Sequence, residues 1–217
     1  MDSNRKLLSR QTLLSDTAIL IYLALFKLIL HWLTSGGYGY FRDEFYYIAA
    51  SQRLQFGYLE FPPMIALITA LTRGLLGESL FALHFFPALA GALIVLLTGL
   101  MARELGGGRF AQIFAALAVI IAPAFLATNS LLTMDSFDQL WWVMAAYIVI
   151  RILKHDAPFS LAGRRAGDEG QPKLWLLFGL VAGLGLMTKL TMLYFGAALV
   201  VGLLLTPGRK YLASKWL

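Results

Sequence analysis

Two short acidic strings stand at the edges of long apolar runs: Arg42-Asp43-Glu44 and Asp135-Ser136-Phe137-Asp138. A carboxylate beside a cation at the edge of an apolar segment can take a proton from a hydroxyl, orient a substrate or ligate a hard cation. The same residues suit a quieter role. Asp43-Glu44 could open a helix, Asp by capping backbone N–H groups and Glu by meeting the first-turn dipole. Asp135-x-x-Asp138 likewise has the spacing of a capping arrangement. Capping and catalysis are compatible, because a capping carboxylate is also an ordered one.

Around Asp43 lie Tyr38, Tyr40, Phe41, Phe45, Tyr46, Tyr47, Phe56, Tyr58 and Phe61, nine aromatics within 24 residues. Such a cluster is either an aromatic belt at the lipid headgroups or a platform for a lipid-linked sugar, with Tyr46, Tyr47 and Tyr58 as its contacts. His31, His84 and His155 are scattered, with no helical spacing that pairs them as ligands. Cysteine is absent, so there is no disulfide, thiolate metal site or iron–sulfur cluster.

The elements that must carry these residues are set by solvent. Of 217 residues, 59% are hydrophobic and only 14% charged, and mean hydropathy is +0.72. Too few charges remain to cover a water-facing surface, and the apolar residues fall in long runs. Six spans are predicted, at about 13–33, 79–102, 110–127, 137–153, 173–188 and 192–206. The apolar run from Pro62 to Leu75 is shorter than the ~20 residues a span needs, and reads as an interfacial or re-entrant helix within a first external loop, 34–78. With the N-terminus in the cytoplasm, 13 of the 18 basic residues fall on that side, including Arg5, Lys6, Arg10, Arg103, Arg109, Arg151, Lys154, Arg164 and Arg165. Acidic residues gather on the other side, as Asp43, Glu44, Glu60, Glu78, Asp135 and Asp138.

The implied organisation is a cytoplasmic N-terminus (1–12), a transmembrane module (13–206) and a cytoplasmic tail (207–217) that stops ahead of further spans. The first apolar run is too long for a signal peptide's core and reads as a retained anchor. As one helix, 173–206 would measure about 51 Å, against a ~30 Å hydrocarbon core, so a reversal near Lys189 is expected. The 155–172 loop is polar and basic. Gly106-Gly107-Gly108 lacks the Lys-Ser/Thr of a phosphate loop, and Gly179-x-x-x-Gly183 is a helix-packing signal. The basic excess follows membrane sidedness, so no nucleic-acid partner is implied.

Two strings in the first loop, Tyr40-Phe41-Arg42-Asp43-Glu44-Phe45-Tyr46-Tyr47 and Gly57-Tyr58-Leu59-Glu60-Phe61-Pro62-Pro63, are joined by two further on, Thr133-Met134-Asp135 and Gly183-Leu184-Gly185-Leu186-Met187-Thr188-Lys189. In that order they resemble the N-terminal portion of GT-C membrane glycosyltransferases, the superfamily of protein O-mannosyltransferases and the lipid A aminoarabinose transferase. The resemblance implies an all-α polytopic GT-C module in a bacterial inner membrane, with its site facing the periplasm. It implies a polyprenyl-phosphate sugar donor, usually on undecaprenyl phosphate, and a glycan, lipid or protein acceptor. Asp43 matches the family's base, Asp135 its second acidic position and Lys189 its contact to the donor phosphate. Phe61 stands where some relatives carry Lys or His, and family members usually have more spans than these six.

A sugar on a phosphate lipid carries its own leaving group. It needs a base for the acceptor hydroxyl, here Asp43, and cations for the departing phosphate, here Lys189 helped by Arg42 or Arg53. A single displacement with inversion follows when one carboxylate reaches the reacting carbon. Glu44 and Asp135 are further catalytic candidates, and could hold Mg²⁺ or Mn²⁺ against the phosphate. Position alone also allows Lys189 to snorkel from a helix end. A transporter or flippase of lipid-linked sugars is the rival from another class, although no internal repeat is present.

Overall fold

The protein, a computed structural model, is described over residues 15–37, 39–155 and 171–213. The basic N-terminal segment with Arg5, Lys6 and Arg10, Tyr38, most of the 155–172 loop and the end of the tail lie outside the described residues. Among the described residues every regular element is helical: α1 (Asp16–Thr34), α2 (Arg42–Ser51), α3 (Met64–Leu76), α4 (Leu80–Glu104), α5 (Arg109–Ile121), α6 (Pro123–Thr128), α7 (Met134–His155), α8 (Gln171–Thr188), α9 (Met192–Leu204) and a 3-10 helix (Pro207–Ala213). The all-α membrane class expected from composition is the class observed.

Helix α4 is the hub, packed against α1, α3, α5 and α7. Its sequence explains why. Ala82, Ala88, Ala90, Gly91, Ala92 and Gly99 are buried, and small residues let neighbouring backbones approach. A Cβ on Gly99 would lie 2.3 Å from a Leu20 methyl of α1, and one on Gly91 would lie 2.6 Å from the Asn129 side chain. One core joins α1 to α5 and α7 around Leu20, Ile65, Leu83, Ile94, Val95 and Leu132. A second gathers α7, α8, α9 and the 3-10 helix around Ile148, Ile152, Trp175 and Val181.

By length and composition three helices can cross a membrane: α1, α4 and Met134–Lys154 of α7. The other three expected spans are shorter helices. The expected 110–127 span is interrupted. Ala122 is extended at φ −66°, ψ 124°, which divides α5 from α6. Pro123 causes this: it lacks an N–H and forces the preceding residue out of the α region. The chain does reverse near Lys189. Phe178 of α8 faces Phe195 of α9 at 6.4 Å between ring centroids, and Trp175 meets Tyr211 at 5.8 Å.

Opposite ends of the bundle carry opposite chemistry. At one end Arg109 Nε pairs with Asp16 at 2.6 Å, Arg103 donates to the Thr17 hydroxyl at 2.9 Å, and Lys154 pairs with Glu104 at 2.8 Å. The other end holds the 41–63 segment, the start of α7 and the Lys189 turn. Helix α3 reaches toward this end, with Ile65, Thr69 and Thr72 buried and Leu67, Leu71 and Leu75 exposed. It stops at Gly77, whose φ of +91° favours a residue without Cβ.

Candidate functional site

Asp43 and Glu44 are adjacent at the start of α2 and do different things. Glu44 turns back to accept the Phe41 backbone N–H on Oε2 at 3.0 Å, the side-chain-to-backbone half of a capping box. Its Oε1 accepts from His84 Nε2 at 2.7 Å and from the Leu132 backbone N–H at 2.8 Å. The residue is fully buried. An enclosed carboxylate is costly unless its lone pairs are met, and bonds to a charged group contribute about 1.5–3 kcal/mol each. Three donors from three distant parts of the chain meet that need.

Helix opening therefore falls to Glu44, not to Asp43. The Asp43 carboxylate, 40% exposed, pairs at 3.1 Å with Arg42, whose side chain is 88% exposed. No backbone N–H binds Asp43 among the described residues.

The second acidic string is not a cap either. Asp135 lies inside the first turn of α7 and pairs with Lys189 Nζ at 2.5 Å. One turn on, Asp138 accepts from the Thr191 hydroxyl at 2.7 Å, and Trp141 Nε1 donates to the Thr188 hydroxyl at 2.8 Å. These three links tie one face of α7 to the α8–α9 turn and set Lys189 at the α7 N-terminus. The positive end of that helix dipole adds to its charge.

The aromatic residues form a packed group around Phe61. Tyr46 and Tyr47 meet its ring edge-on at 5.1 and 5.3 Å, and Tyr58 stacks on it at 4.8 Å. Phe61 is thus the centre of the cluster. The Tyr58 hydroxyl donates toward the Ala50 and Arg53 carbonyls, each at 3.0 Å, and so fixes the loop after α2. Arg53 is exposed on that loop, Tyr46 is half-exposed and Tyr47 is buried. Burial, then the Asp43 and Asp135 carboxylates, push the Tyr47 phenol from 10.0 up to about 12. Tyr47 thus lies within the fields of both acidic strings, which are 92 residues apart by subtraction of their numbers.

Beside Lys189 a groove of about 470 Å³ runs between the 56–63 loop and Leu186, Met187 and Leu190. Its walls are mostly apolar, including Phe56 and Leu59, which are almost wholly exposed.

Among the described residues no group of three or more His, Asp or Glu side chains is arranged to hold a metal ion. Glu44, with both oxygens engaged inside the protein, is not offered to a cation shared with Asp135. The donor set does not fit the Mg²⁺ or Mn²⁺ expectation.

The profile of the dolichyl-phosphate-mannose-protein mannosyltransferase family matches residues 60–217. The chain belongs to this family. It is accordingly a membrane glycosyltransferase of the mannosyltransferase type. The match takes in Asp135 and Lys189 but begins at Glu60, beyond Arg42, Asp43, Glu44, Tyr46, Tyr47, Arg53 and Tyr58. No curated protein and no solved structure matches the chain.

Three sets of contacts in the structure escape a reading of the sequence. His84 is separated from Glu44 by 40 positions, and nothing in its spacing announces the contact. Thr188 stands in the quoted lysine string, just before Lys189, and Thr191 lies just beyond it, but nothing there announces their bonds to Trp141 and Asp138. Lys27, inside the first span, is fully buried, with Nζ 3.4 Å from the Phe125 carbonyl and its own carbonyl 3.1 Å from His31 Nδ1.

Proposed function

We propose that this mannosyltransferase-family protein moves a sugar from a polyprenyl-phosphate donor to an acceptor hydroxyl by a single inverting displacement. The donor lies at the periplasmic face of a bacterial inner membrane, with undecaprenyl phosphate as the lipid. The observation that carries the reading is the Asp135–Lys189 pair at the end of the bundle that also bears Asp43. A cation held by a single carboxylate at a helix N-terminus is ready to exchange that partner for a phosphate. The apolar groove beside Lys189 suits the lipid tail.

In this reading Asp43 takes the hydroxyl proton as the acceptor oxygen attacks the anomeric carbon. The bond to the phosphate oxygen breaks, and Lys189, helped by Arg42 or Arg53, stabilises the charge left on the phosphate. Asp135 orients Lys189, and Glu44 orients the segment bearing Asp43. Tyr46 offers aromatic surface to the sugar, and Tyr47, buried against Phe61, supports it from behind instead of meeting the sugar as the sequence reading expected. No step passes through a metal.

Segment 1–12, the loop 103–109, residues 154–172 and the tail 207–217 face the cytoplasm. The 34–78 and 128–136 segments and the Lys189 turn face outside, and α2 and α3 lie at the membrane surface. The basic and acidic ends of the bundle support this sidedness.

The decisive test is Asp43→Asn in the full-length protein in liposomes, supplied with polyprenyl-phosphate mannose and an acceptor. Transfer is expected to fall ~10²-fold or more while donor binding survives. Lys189→Ala is expected to weaken donor binding, with transfer falling alongside. Wild-type transfer by a folded Asp43→Asn protein would remove Asp43 from the mechanism. Donor movement across the bilayer without sugar transfer would favour the flippase.

A further inference from the structure

We propose that His84 is a positioning residue for the transfer step: acting through Glu44, it holds the Asp43 segment in register with the Asp135 segment. The inference rests on the transferase reading above and extends it to a residue that never touches substrate.

The Glu44 carboxylate is a junction of three sequence-distant segments. Phe41, whose N–H binds Oε2 at 3.0 Å, stands two residues before Asp43. Leu132, whose N–H binds Oε1 at 2.8 Å, stands three residues before Asp135. The third partner, His84 Nε2 at 2.7 Å, comes from α4, the hub against which α1, α3, α5 and α7 pack. Two of the three bonds therefore go to backbone bordering the two acidic strings. The third fastens the carboxylate to the element least free to move.

Both side chains are sealed, Glu44 at 0% exposure and His84 at 3%. Water therefore cannot replace the imidazole donor without opening the core. Among the described residues His84 Nδ1 is buried with no hydrogen-bond partner. Within them Glu44 is thus the imidazole's only hydrogen-bond partner, and holding it is the polar task the ring performs. Without that donor, Oε1 keeps only Leu132 and Oε2 only Phe41, so the carboxylate loses its link to α4 and is held only by the two segments it aligns. The α2 start and the α7 start then lose their common reference. Misplacement of reacting groups by about 1 Å costs on the order of 10²-fold in rate.

The test compares wild type, His84→Phe and His84→Gln in the full-length protein. Gln can present an amide N–H near the position of Nε2, whereas Phe fills the space without a donor. With polyprenyl-phosphate mannose and a hydroxyl acceptor, His84→Phe is expected to lower kcat ~10–100-fold and leave donor KM within about threefold, because the Lys189 pair is untouched. His84→Gln is expected to recover most of the rate. In parallel, nitroxides on Phe45→Cys and Leu131→Cys report the distance between the two segments against a background with no native thiol. The distribution should be narrow in wild type and His84→Gln, and broad in His84→Phe.

A wild-type rate or an unchanged distance distribution in His84→Phe overturns the proposal, as does a His84→Gln enzyme as slow as His84→Phe. If the wild-type protein transfers no sugar, the transferase reading fails, and the distances alone then decide whether His84 and Glu44 hold the segments together.

Discussion

Asp43 keeps its carboxylate partly exposed beside Arg42, whereas Glu44, one residue on, is enclosed by three donors. That contrast predicts different failures on amide substitution. Glu44→Gln replaces one acceptor oxygen by an NH₂ that must face a donor, leaving a buried group unmet at a cost of about 1–3 kcal/mol. It should lower the thermal midpoint in detergent, while Asp43→Asn should leave it unchanged; equal midpoints would deny Glu44 its structural role. Tyr47 gives a prediction in pH. Its raised value means that the folded protein keeps the phenolic proton after an unfolded chain would have lost it. The associated stability is fully present below pH 10 and is lost as pH rises toward 12. The ultraviolet difference titration between wild type and Tyr47→Phe should therefore show its phenolate step near pH 12; a step near 10 would place Tyr47 in open solvent. At this scale sequence reasoning reached the two acidic strings and Lys189, because charge is conspicuous in apolar surroundings. Its alternative of a capping role named Asp43 for the backbone N–H groups, where Glu44 makes that bond, since Asp and Glu both suit a first turn. It passed over His84 because a contact across 40 residues leaves no local spacing.

Among the elements, α4 is the one whose small residues set the approach of everything else. Gly91 faces Asn129 so closely that an added Cβ would lie within 2.9 Å of three of its side-chain atoms, Cβ included. An atom that near the backbone cannot swing aside. Gly91→Ala should therefore destabilise the protein by roughly 1–3 kcal/mol, read as a lower midpoint in detergent, with no charged group altered. An unchanged midpoint would mean that the Asn129 segment yields freely. Helix order and the reversal near Lys189 were legible in advance, because run length against bilayer thickness admits few alternatives. The division of α5 from α6 was not drawn in advance, although Pro123 marks it, because the apolar run continues unbroken through 110–127. Pro87 sits inside α4 without ending it, so proline alone does not decide between interruption and tolerance.

Over the whole molecule, the acidic end and the basic end make sidedness testable with few probes. Single cysteines at Leu59 and Gly108 meet no native thiol background, and a Cβ at Gly108 has open space around it. An impermeant reagent applied to intact cells should label position 59 and spare 108; labelling of 108 would invert the proposed orientation. Fold class was legible at this scale because lipid constrains composition so strongly, whereas the interlocking of α7 with the α8–α9 turn depends on side-chain contacts that periodicity does not encode. Lys27 carries a consequence for biosynthesis. Its ammonium reaches the Phe125 carbonyl, 98 residues later in the chain. At ~5–20 residues per second, the ribosome needs roughly 5–20 s to make that partner after Lys27 has emerged. Throughout this interval the first helix holds a lysine that costs about 2.5–3.5 kcal/mol at mid-membrane on insertion scales. Until α6 arrives, the newborn helix carries that cost without its partner, so its insertion leans on the apolar residues around Lys27.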